Sequence, residues 1–157
     1  MITLGTRTPE TVKIYFEKSQ SPEIKRFLPQ KAQSVEEALA DYAQTLLPGA
    51  TSFGQTILLD GRYIGDIWCY CIDLEDTPNC MVSFCIFDTA CRSQGIATAA
   101  LGLFLPLIRE KYGVKTVGAF TYSHNHPCIR VLQKNGFATA EEFEEDGVLS
   151  KYLQFEY

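Results

Sequence analysis

The sequence predicts a single domain, residues 1–157, of the α+β (mixed α/β) class, in which helices cover the faces of a mixed sheet. Its length of 157 residues suits one domain with one sizeable core. The first third is patterned as helices, the middle as short strands, and the last third as alternating helix and strand. A strand–helix–strand unit after an antiparallel meander implies both parallel and antiparallel pairs in one sheet.

Three helices are predicted in the first third, and each has a recognisable N-terminus. Thr8 and Ser21 are N-cap residues, each followed by a proline at the first helical position. Ser34 and Glu37 have the spacing of a capping box, and the apolar residues that follow recur at helical intervals.

The middle of the chain is patterned as a strand meander. The predicted strands are FGQTILLD, YIGDIWCYCID and CMVSFCIFD, which are rich in β-branched and aromatic residues. Asp60-Gly61 is a typical hairpin turn between the first two strands.

Helix and strand alternate in the last third. A helix is predicted over residues 96–111, with a kink at Pro106. The segment KTVGAFTY is predicted as a strand and HPCIRVLQKN as a helix that begins near Asn125 or His126 and ends at Gly136. A last strand, VLSKYLQFEY, follows the turn EDG.

The charge balance and the N-terminus limit the class of partner. The net charge of −5 argues against nucleic-acid binding by phosphate neutralisation and favours cationic partners such as amines. The N-terminus lacks the pattern of a secretory signal, and no segment approaches the ~20 apolar residues of a membrane span. We therefore expect a cytoplasmic protein that is not membrane-bound.

Six cysteines occur without a Cys-x-x-Cys motif, so free, buried thiols are expected in a reducing compartment. The pair Cys69 and Cys71 is expected on one face of a strand. His124 and His126 flank Asn125, but no further Cys or carboxylate spacing completes a zinc site, so no metal is expected.

The segment ACRSQGIATAAL joins a predicted strand to a predicted helix. The start of a helix presents unpaired N–H groups and the positive end of its dipole, and Gly95 allows close backbone approach. Arg92, Ser93 and Gln94 add side-chain donors, and small residues follow them. These features are typical of a site for an anion such as a pyrophosphate. The alternative is a tight turn with a surface arginine.

A second segment gives the first a more specific interpretation. Arg92-x-x-Gly95-x-Ala97 after a strand resembles the coenzyme A signature of the GNAT superfamily of N-acetyltransferases. The segment TYSHNHPCIRVLQKNGF is similar to the second motif of that superfamily, with Asn125 before a short helix that ends in Gly-Phe. The residues of this second motif most resemble those of the RimJ/RimL-like branch, which acetylates ribosomal-protein N-termini. The resemblance spans residues 21–157.

The resemblance implies a twisted sheet that splays between two central strands, MVSFCIF and TVGAFTY. The pantetheine arm of acetyl-CoA is expected in the V between them, its pyrophosphate on the RSQGIAT backbone. A bulge is expected in the first of these strands, so its register stays open by one residue. The implied coenzyme contacts are Ile86, Phe87, Arg92, Ser93, Gln94, Gly95, Ile96, Ala97, Thr98 and Asn125.

The implied reaction is direct attack of a primary amine, from a peptide N-terminus or a small molecule, on the thioester of acetyl-CoA. Many members have a tyrosine as the acid for the thiolate, but Leu132 stands at that position here. The Rim branch often has serine three residues after the Asn, where this chain has Cys128. A thiol is a weak proton donor, so Cys128 is either the acid or a small residue that lines the site.

The candidate general base is Asp66 in YIGDIW, whose alternative is a solvated carboxylate at a strand edge. Glu141 and Glu142, just after Gly-Phe, are a second choice, and their alternative is an exposed loop. Trp68 and Tyr70 share a strand face and are candidates for one wall of an acceptor pocket.

Two other functions fit the sequence. One is an inactive or weakly active acyl-CoA-binding module with a sensing role, because the tyrosine of the wider family is missing. The other is a coenzyme-free interaction domain in which RSQG is only a turn. The chain is expected to be a monomer or a homodimer.

Overall fold

Seven strands form one mixed sheet in the computed structural model, which describes residues 1–28, 30–92 and 94–157. The strands are β1 (Ile2–Thr6), β2 (Phe53–Leu59), β3 (Arg62–Asp73), β4 (Asn79–Ile86), β5 (Thr116–Tyr122), β6 (Ala138–Glu145) and β7 (Val148–Glu156). Their order in the sheet is β1-β2-β3-β4-β5-β7-β6. Every neighbouring pair is antiparallel except β4–β5, which is parallel. The predicted mixed α/β class is confirmed.

Two of these strands were not predicted. The first, β1, precedes the N-terminal helices and pairs with β2, from Ile2 opposite Leu59 to Thr6 opposite Gln55. The other, β6, is exposed along its whole length except at Phe143, so its sequence lacks the apolar alternation that marks a strand. Both lie at the edges of the sheet, where packing places few demands on sequence.

In the described part of the chain, five α-helices and a 3₁₀ turn (Thr89–Cys91) accompany the sheet. The α-helices are α1 (Pro9–Lys18), α2 (Pro22–Phe27), α3 (Val35–Thr45), α4 (Ile96–Tyr112) and α5 (His126–Lys134). The predicted caps Thr8, Ser21 and Ser34 each accept a hydrogen bond from the backbone of the first turn. Only half of the predicted capping box forms, because the Glu37 carboxylate accepts from the Gln33 N–H at 2.7 Å and not from Ser34. The fourth helix continues through its internal proline to Tyr112.

The two faces of the sheet have different roles. On one face, Ile67 and Cys69 of β3 pack with Phe104 and Ile108 of α4 in a hydrophobic core. On the opposite face, alternation places Asp66, Trp68 and Tyr70 beneath α1 and α3, where they line a cavity. No helix among the described residues is long and apolar enough to cross a membrane.

Strands β4 and β5 separate after a short stretch of pairing. In the described residues they pair at three positions, the last of which joins Met81 to Gly118. A side chain at Gly118 would collide with the Tyr152 ring and the Met81 sulfur. The remainder of each strand diverges, which confirms the predicted splay between MVSFCIF and TVGAFTY.

The β3–β4 register is regular from Ile86 to Met81. The expected bulge lies just beyond it, where the Phe87 and Asp88 N–H groups both donate to the Ile64 carbonyl, at 3.0 and 3.4 Å. The expectation that Cys69 and Cys71 share a face is wrong, because a further irregularity lies on β3 between Tyr70 and Asp73. Within it, Cys71 has a positive φ of 52°. This turns Cys71 to solvent while Cys69 stays buried, so the two thiols do not share a face. All six cysteines are free.

Gly65 is required where β3 passes the end of β4. A side-chain carbon there would overlap the backbone carbonyl oxygen of Cys85 and lie 2.9 Å from the Ile86 Cα. We expect Gly65→Ala to lower the free energy of unfolding by about 1–3 kcal/mol, because backbone atoms have to move. Urea denaturation measures the change. The control is Gly102→Ala in α4, whose nearest neighbour would lie at 3.4 Å and which should be neutral or stabilising. Equal stability of the two variants would contradict this account.

Candidate active site

Where β4 and β5 diverge, they leave a gap in the sheet. Backbone groups on the edge of β4 that faces β5 point into this gap. The Phe87 N–H donates to the Ile64 carbonyl of β3 at 3.0 Å. Hydrogen-bonding directions alternate along an antiparallel strand, so the backbone groups of Phe84 and Ile86 point away from β3. Of the two expected contacts at this end, Ile86 therefore faces the gap, whereas the backbone donor of Phe87 is already used.

The N-terminus of α4 follows the predicted anion-binding loop. Gly95 is its N-cap, in the left-handed region with φ 73°, and Ala99 N–H donates the first intrahelical bond to the Gly95 carbonyl at 3.0 Å. The N–H groups of residues 95–98 therefore have no partner within the helix, and no described side chain caps them. These four residues are Gly95, Ile96, Ala97 and Thr98. Their backbone has the geometry of an anion site, with nothing within 4 Å of a carbon added at Gly95.

The Arg92 side chain is directed to the end of β4. Its Nε and Nη2 atoms donate to the Ile86 carbonyl, each at 3.3 Å, and its Nη1 pairs with Glu23 of α2. The guanidinium therefore joins α2 to the strand edge at the gap.

The rest of the loop is held by local hydrogen bonds. The Gln94 side chain donates to the Ala90 carbonyl at 3.1 Å, and the Asp88 carboxylate accepts from the Ala90 N–H at 3.1 Å. Asp88 also pairs with Arg62, which lowers the pKa of the Asp88 carboxyl. Ser93, a predicted contact, lies outside the described residues.

The second motif begins α5, directly after β5, the strand on the other side of the gap. Asn125 caps the helix, its side-chain oxygen accepting from the Cys128 N–H at 3.5 Å. Cys128 is half-buried against the core on the α4 side of the sheet, and burial raises the pKa of its thiol, with a hydrogen bond from Thr121 opposing the shift. Leu132 is fully buried and packs in that core.

A cavity of about 930 Å³ lies on the opposite face, between the sheet and helices α1–α3. Aromatic residues from three helices and four strands dominate its lining. They are Tyr15, Phe16, Phe27, Tyr42, Phe53, Trp68, Tyr70, Phe120, Tyr122 and Phe143. Trp68 and Tyr70 thus lie in the wall of a pocket, where the sequence placed them. The cavity reaches β5 beyond the last β4–β5 pair, so it borders the gap.

Asp66 lies in the lining of this cavity and is not a solvated edge residue. It is only 2% exposed, accepts a hydrogen bond from the Tyr63 hydroxyl at 2.6 Å, and pairs with Arg7 at 3.3 Å. Arg7 occupies space that a side chain at Gly54 would fill, and its guanidinium lies 5.9 Å from the centre of the Trp68 ring. Burial raises the pKa of the Asp66 carboxyl to about 6, against the lowering effects of Arg7 and Tyr63.

Arg7 and Glu145 are site residues that sequence reasoning missed. Arg7 stands alone before a helix cap, and only the fold brings it to Asp66. Glu145 lines the cavity from the end of β6, whereas Glu141 and Glu142 lie exposed on that strand and do not line it. Glu142 instead accepts a hydrogen bond from the Ser123 hydroxyl at 3.3 Å.

A splayed parallel pair, an uncapped helix start after the first strand and a capped helix after the second form the arrangement that the resemblance to GNAT acetyltransferases implies. Residues 2–138 match the family described as "Acetyltransferase (GNAT) domain". The chain belongs to this family of GNAT acetyltransferases, as its motifs predict.

One curated relative with an acetyltransferase name is similar to this chain. Human alpha/beta-tubulin-N-acetyltransferase 9 is 31% identical over 106 residues, which cover 62% of this chain and 45% of that protein. The chain thus corresponds to less than half of the length of this relative.

Solved structures share the fold at low sequence identity. The aminoglycoside acetyltransferase AAC(6')-Ib in complex with coenzyme A and kanamycin is 15% identical, with a TM-score of 0.81 over 99% of this chain and 95% of its own. Mycobacterium smegmatis RimJ in complex with CoA-disulfide is 15% identical, with a TM-score of 0.83 over 99% of this chain and 81% of its own.

The raised pKa of Asp66 makes stability depend on pH in a defined direction. The folded protein binds this proton at about pH 6 and the unfolded chain near 3.8, so the folded state is stabilised as pH falls through that window. Relative to Asp66→Asn, the wild type should gain up to about 3 kcal/mol of unfolding free energy from pH 7 to 4.

Chemical denaturation at a series of pH values measures this difference. Asp88→Asn is the control of opposite sign, because the pKa of Asp88 is lowered and its contribution is lost as pH falls. A pH-independent difference between wild type and Asp66→Asn would contradict the assignment.

Proposed function

We propose that this chain is an N-acetyltransferase that moves the acetyl group of acetyl-CoA to a primary amine within a ternary complex. The observation that carries the proposal is the gap between β4 and β5. It has a helix start suited to an anion on one side of the sheet and a large aromatic cavity on the other. An acyl donor and an acceptor can thus approach from opposite faces and meet between the strands.

Acetyl-CoA, when bound, supplies a thioester carbonyl that a neutral amine attacks directly, with release of the coenzyme thiol. The described residues fit this ligand. The N–H groups of residues 95–98 suit its pyrophosphate, and the gap-facing backbone of Phe84 and Ile86 suits the amides of its pantetheine arm. Arg92, bonded to the end of β4, and Asn125, in the connection from β5 to α5, complete the proposed contacts. Ser93, Gln94 and Phe87 are added as the sequence predicts, although the Phe87 N–H already donates to Ile64.

The proton transfers are assigned to two residues on opposite faces. Asp66 is the proposed base, because above pH 6 its carboxyl is ionised and it lines the acceptor cavity. Cys128 is the proposed acid for the departing thiolate, because its raised pKa keeps the thiol protonated at neutral pH. An α-amine with a pKa near 8 is about 10% neutral at pH 7, so such an acceptor needs little help from a base.

We propose the cytoplasm as its compartment, in keeping with six free thiols on a chain that folds without a disulfide.

Coenzyme binding is tested at Gly95 with two variants of the same size. Both Gly95→Asp and Gly95→Asn keep a residue type that tolerates the positive φ, but only aspartate places a negative charge at the anion site. We expect at least about a tenfold rise in the acetyl-CoA dissociation constant for Gly95→Asp and a much smaller change for Gly95→Asn. Calorimetry or thermal shift measures both. Equal affinities would show that the pyrophosphate does not lie here.

Turnover is tested by the release of free coenzyme thiol with a panel of amines. The proposal requires release that depends on the amine. Stabilisation by acetyl-CoA without release from any amine would instead favour the acyl-CoA-binding module, which the burial of Leu132 keeps open as the second candidate.

The acid role of Cys128 is tested by comparing serine and alanine. Cys128→Ser keeps a donor of nearly the same size, whereas Cys128→Ala removes it. If the thiol protonates the departing thiolate, kcat should fall on the order of 10²-fold in Cys128→Ala and be largely retained in Cys128→Ser. Acetyl-CoA affinity is the control and should be similar in both variants. An unchanged kcat in Cys128→Ala would assign the residue to packing alone.

A further inference from the structure

The acceptor cavity is walled mainly by aromatic rings. Tyr15 and Trp68 meet edge to face, with ring centres 6.0 Å apart, on the side of α1 and β3. Phe120 and Phe143 do the same at 5.9 Å on the side of β5 and β6. Both pairs line the same cavity. Its volume, about 930 Å³, is sufficient for an acceptor of the size of a short peptide.

The charged groups in the lining favour an acceptor with one positive charge. Arg7 and Asp66 neutralise each other at the buried end. The other charged residues described in the lining are Lys31, Asp41 and Glu145, all exposed, and the formal charges of the whole set sum to a single negative charge. An amine with several positive charges would have more cations than the cavity has free carboxylates, and the surplus would lose hydration without a partner.

Phe120 gives an independent indication of what fills the cavity. Its side chain is 56% exposed although it lies on a central strand, beside the gap. When an apolar group covers a large aromatic side chain that is this exposed in a ring-lined cavity, the free energy of the complex is lowered.

We propose that the acceptor carries its amine on an apolar or aromatic body with a single positive charge, and that polycationic amines are poor acceptors. The inference rests on the proposed function, and it concerns the selectivity of the same site. The apolar body lies among the rings, and the amine reaches toward the gap between β4 and β5.

The test compares acceptors whose amines have similar pKa values. Phenylalanyl-alanine amide and leucyl-alanine amide present an α-amine on an apolar side chain, whereas seryl-alanine amide and lysyl-alanine amide present it on a polar or charged one. We expect kcat/KM, from release of the coenzyme thiol, to be at least tenfold higher for the first two. Spermidine and kanamycin should be poorer still.

Two variants at similarly exposed positions, one inside the cavity and one outside it, test whether the cavity determines the acceptor preference. Phe120→Ala should reduce the preference for phenylalanyl over seryl acceptors by threefold or more, with unchanged acetyl-CoA affinity. Leu74→Ala, at 53% exposure in the β3–β4 turn and outside the cavity, should leave the preference unchanged.

The outcomes separate the two proposals. Absence of acetyl-CoA binding, or of turnover with every amine, would overturn the proposed function itself. Turnover that is equal across the four dipeptides, or faster with spermidine or kanamycin, would overturn only the inference about the acceptor. A preference that persists in Phe120→Ala together with normal turnover would also overturn it.

Discussion

Beyond Met81 and Gly118, strands β4 and β5 no longer pair, so the gap-facing backbone groups of β4 lack a strand partner. Leaving a buried backbone group unsatisfied costs about 1–3 kcal/mol, so a gap in the middle of a sheet requires other donors and acceptors. Arg92 supplies donors to the Ile86 carbonyl. The amides of a pantetheine arm have the right chemistry for the remaining groups. The same interruption of the sheet that creates a structural cost therefore creates the proposed binding site.

The N-terminal segment is fixed to this arrangement through a buried ion pair. Arg7 joins the end of β1 to Asp66 on β3, and its own carbonyl accepts a hydrogen bond from Tyr42 of α3 at 3.1 Å. The Tyr63 hydroxyl also approaches the Thr11 carbonyl of α1 at 3.3 Å. Removing one partner of such a pair leaves an uncompensated buried charge, which is more costly than losing the attraction itself. The position of the helices over the cavity thus depends on Asp66, independently of any role in proton transfer.

The sequence predicted best what is encoded locally. The caps at Thr8, Ser21 and Ser34, the Asp60-Gly61 turn and the helix start at Gly95 each depend on residues within one turn of chain, and all are present. The splayed strands followed from two motifs that together identify a family.

What the sequence did not show depends on long-range packing. The strand β1 takes its place by pairing with β2, about fifty residues later in the chain. Arg7 reaches Asp66 only because Gly54, on a different strand, leaves room for the guanidinium. Cys71 leaves the face of Cys69 because an irregularity in β3 changes the alternation there. None of these features produces a residue spacing in the sequence from which it could be predicted.

The sheet also separates the two proposed groups of site residues, which lie on its opposite faces. Cys128 packs with the core on the α4 side, whereas Asp66, Trp68 and Phe120 line the cavity on the other side. Side chains on alternate positions of one strand reach opposite sides, so acceptor-side residues can vary while the packing beneath α4 is retained. The gap between β4 and β5 borders the cavity on this second face. A fold of this kind can keep one acyl donor and change its acceptor by exchanging rings and charges on a single face of the sheet.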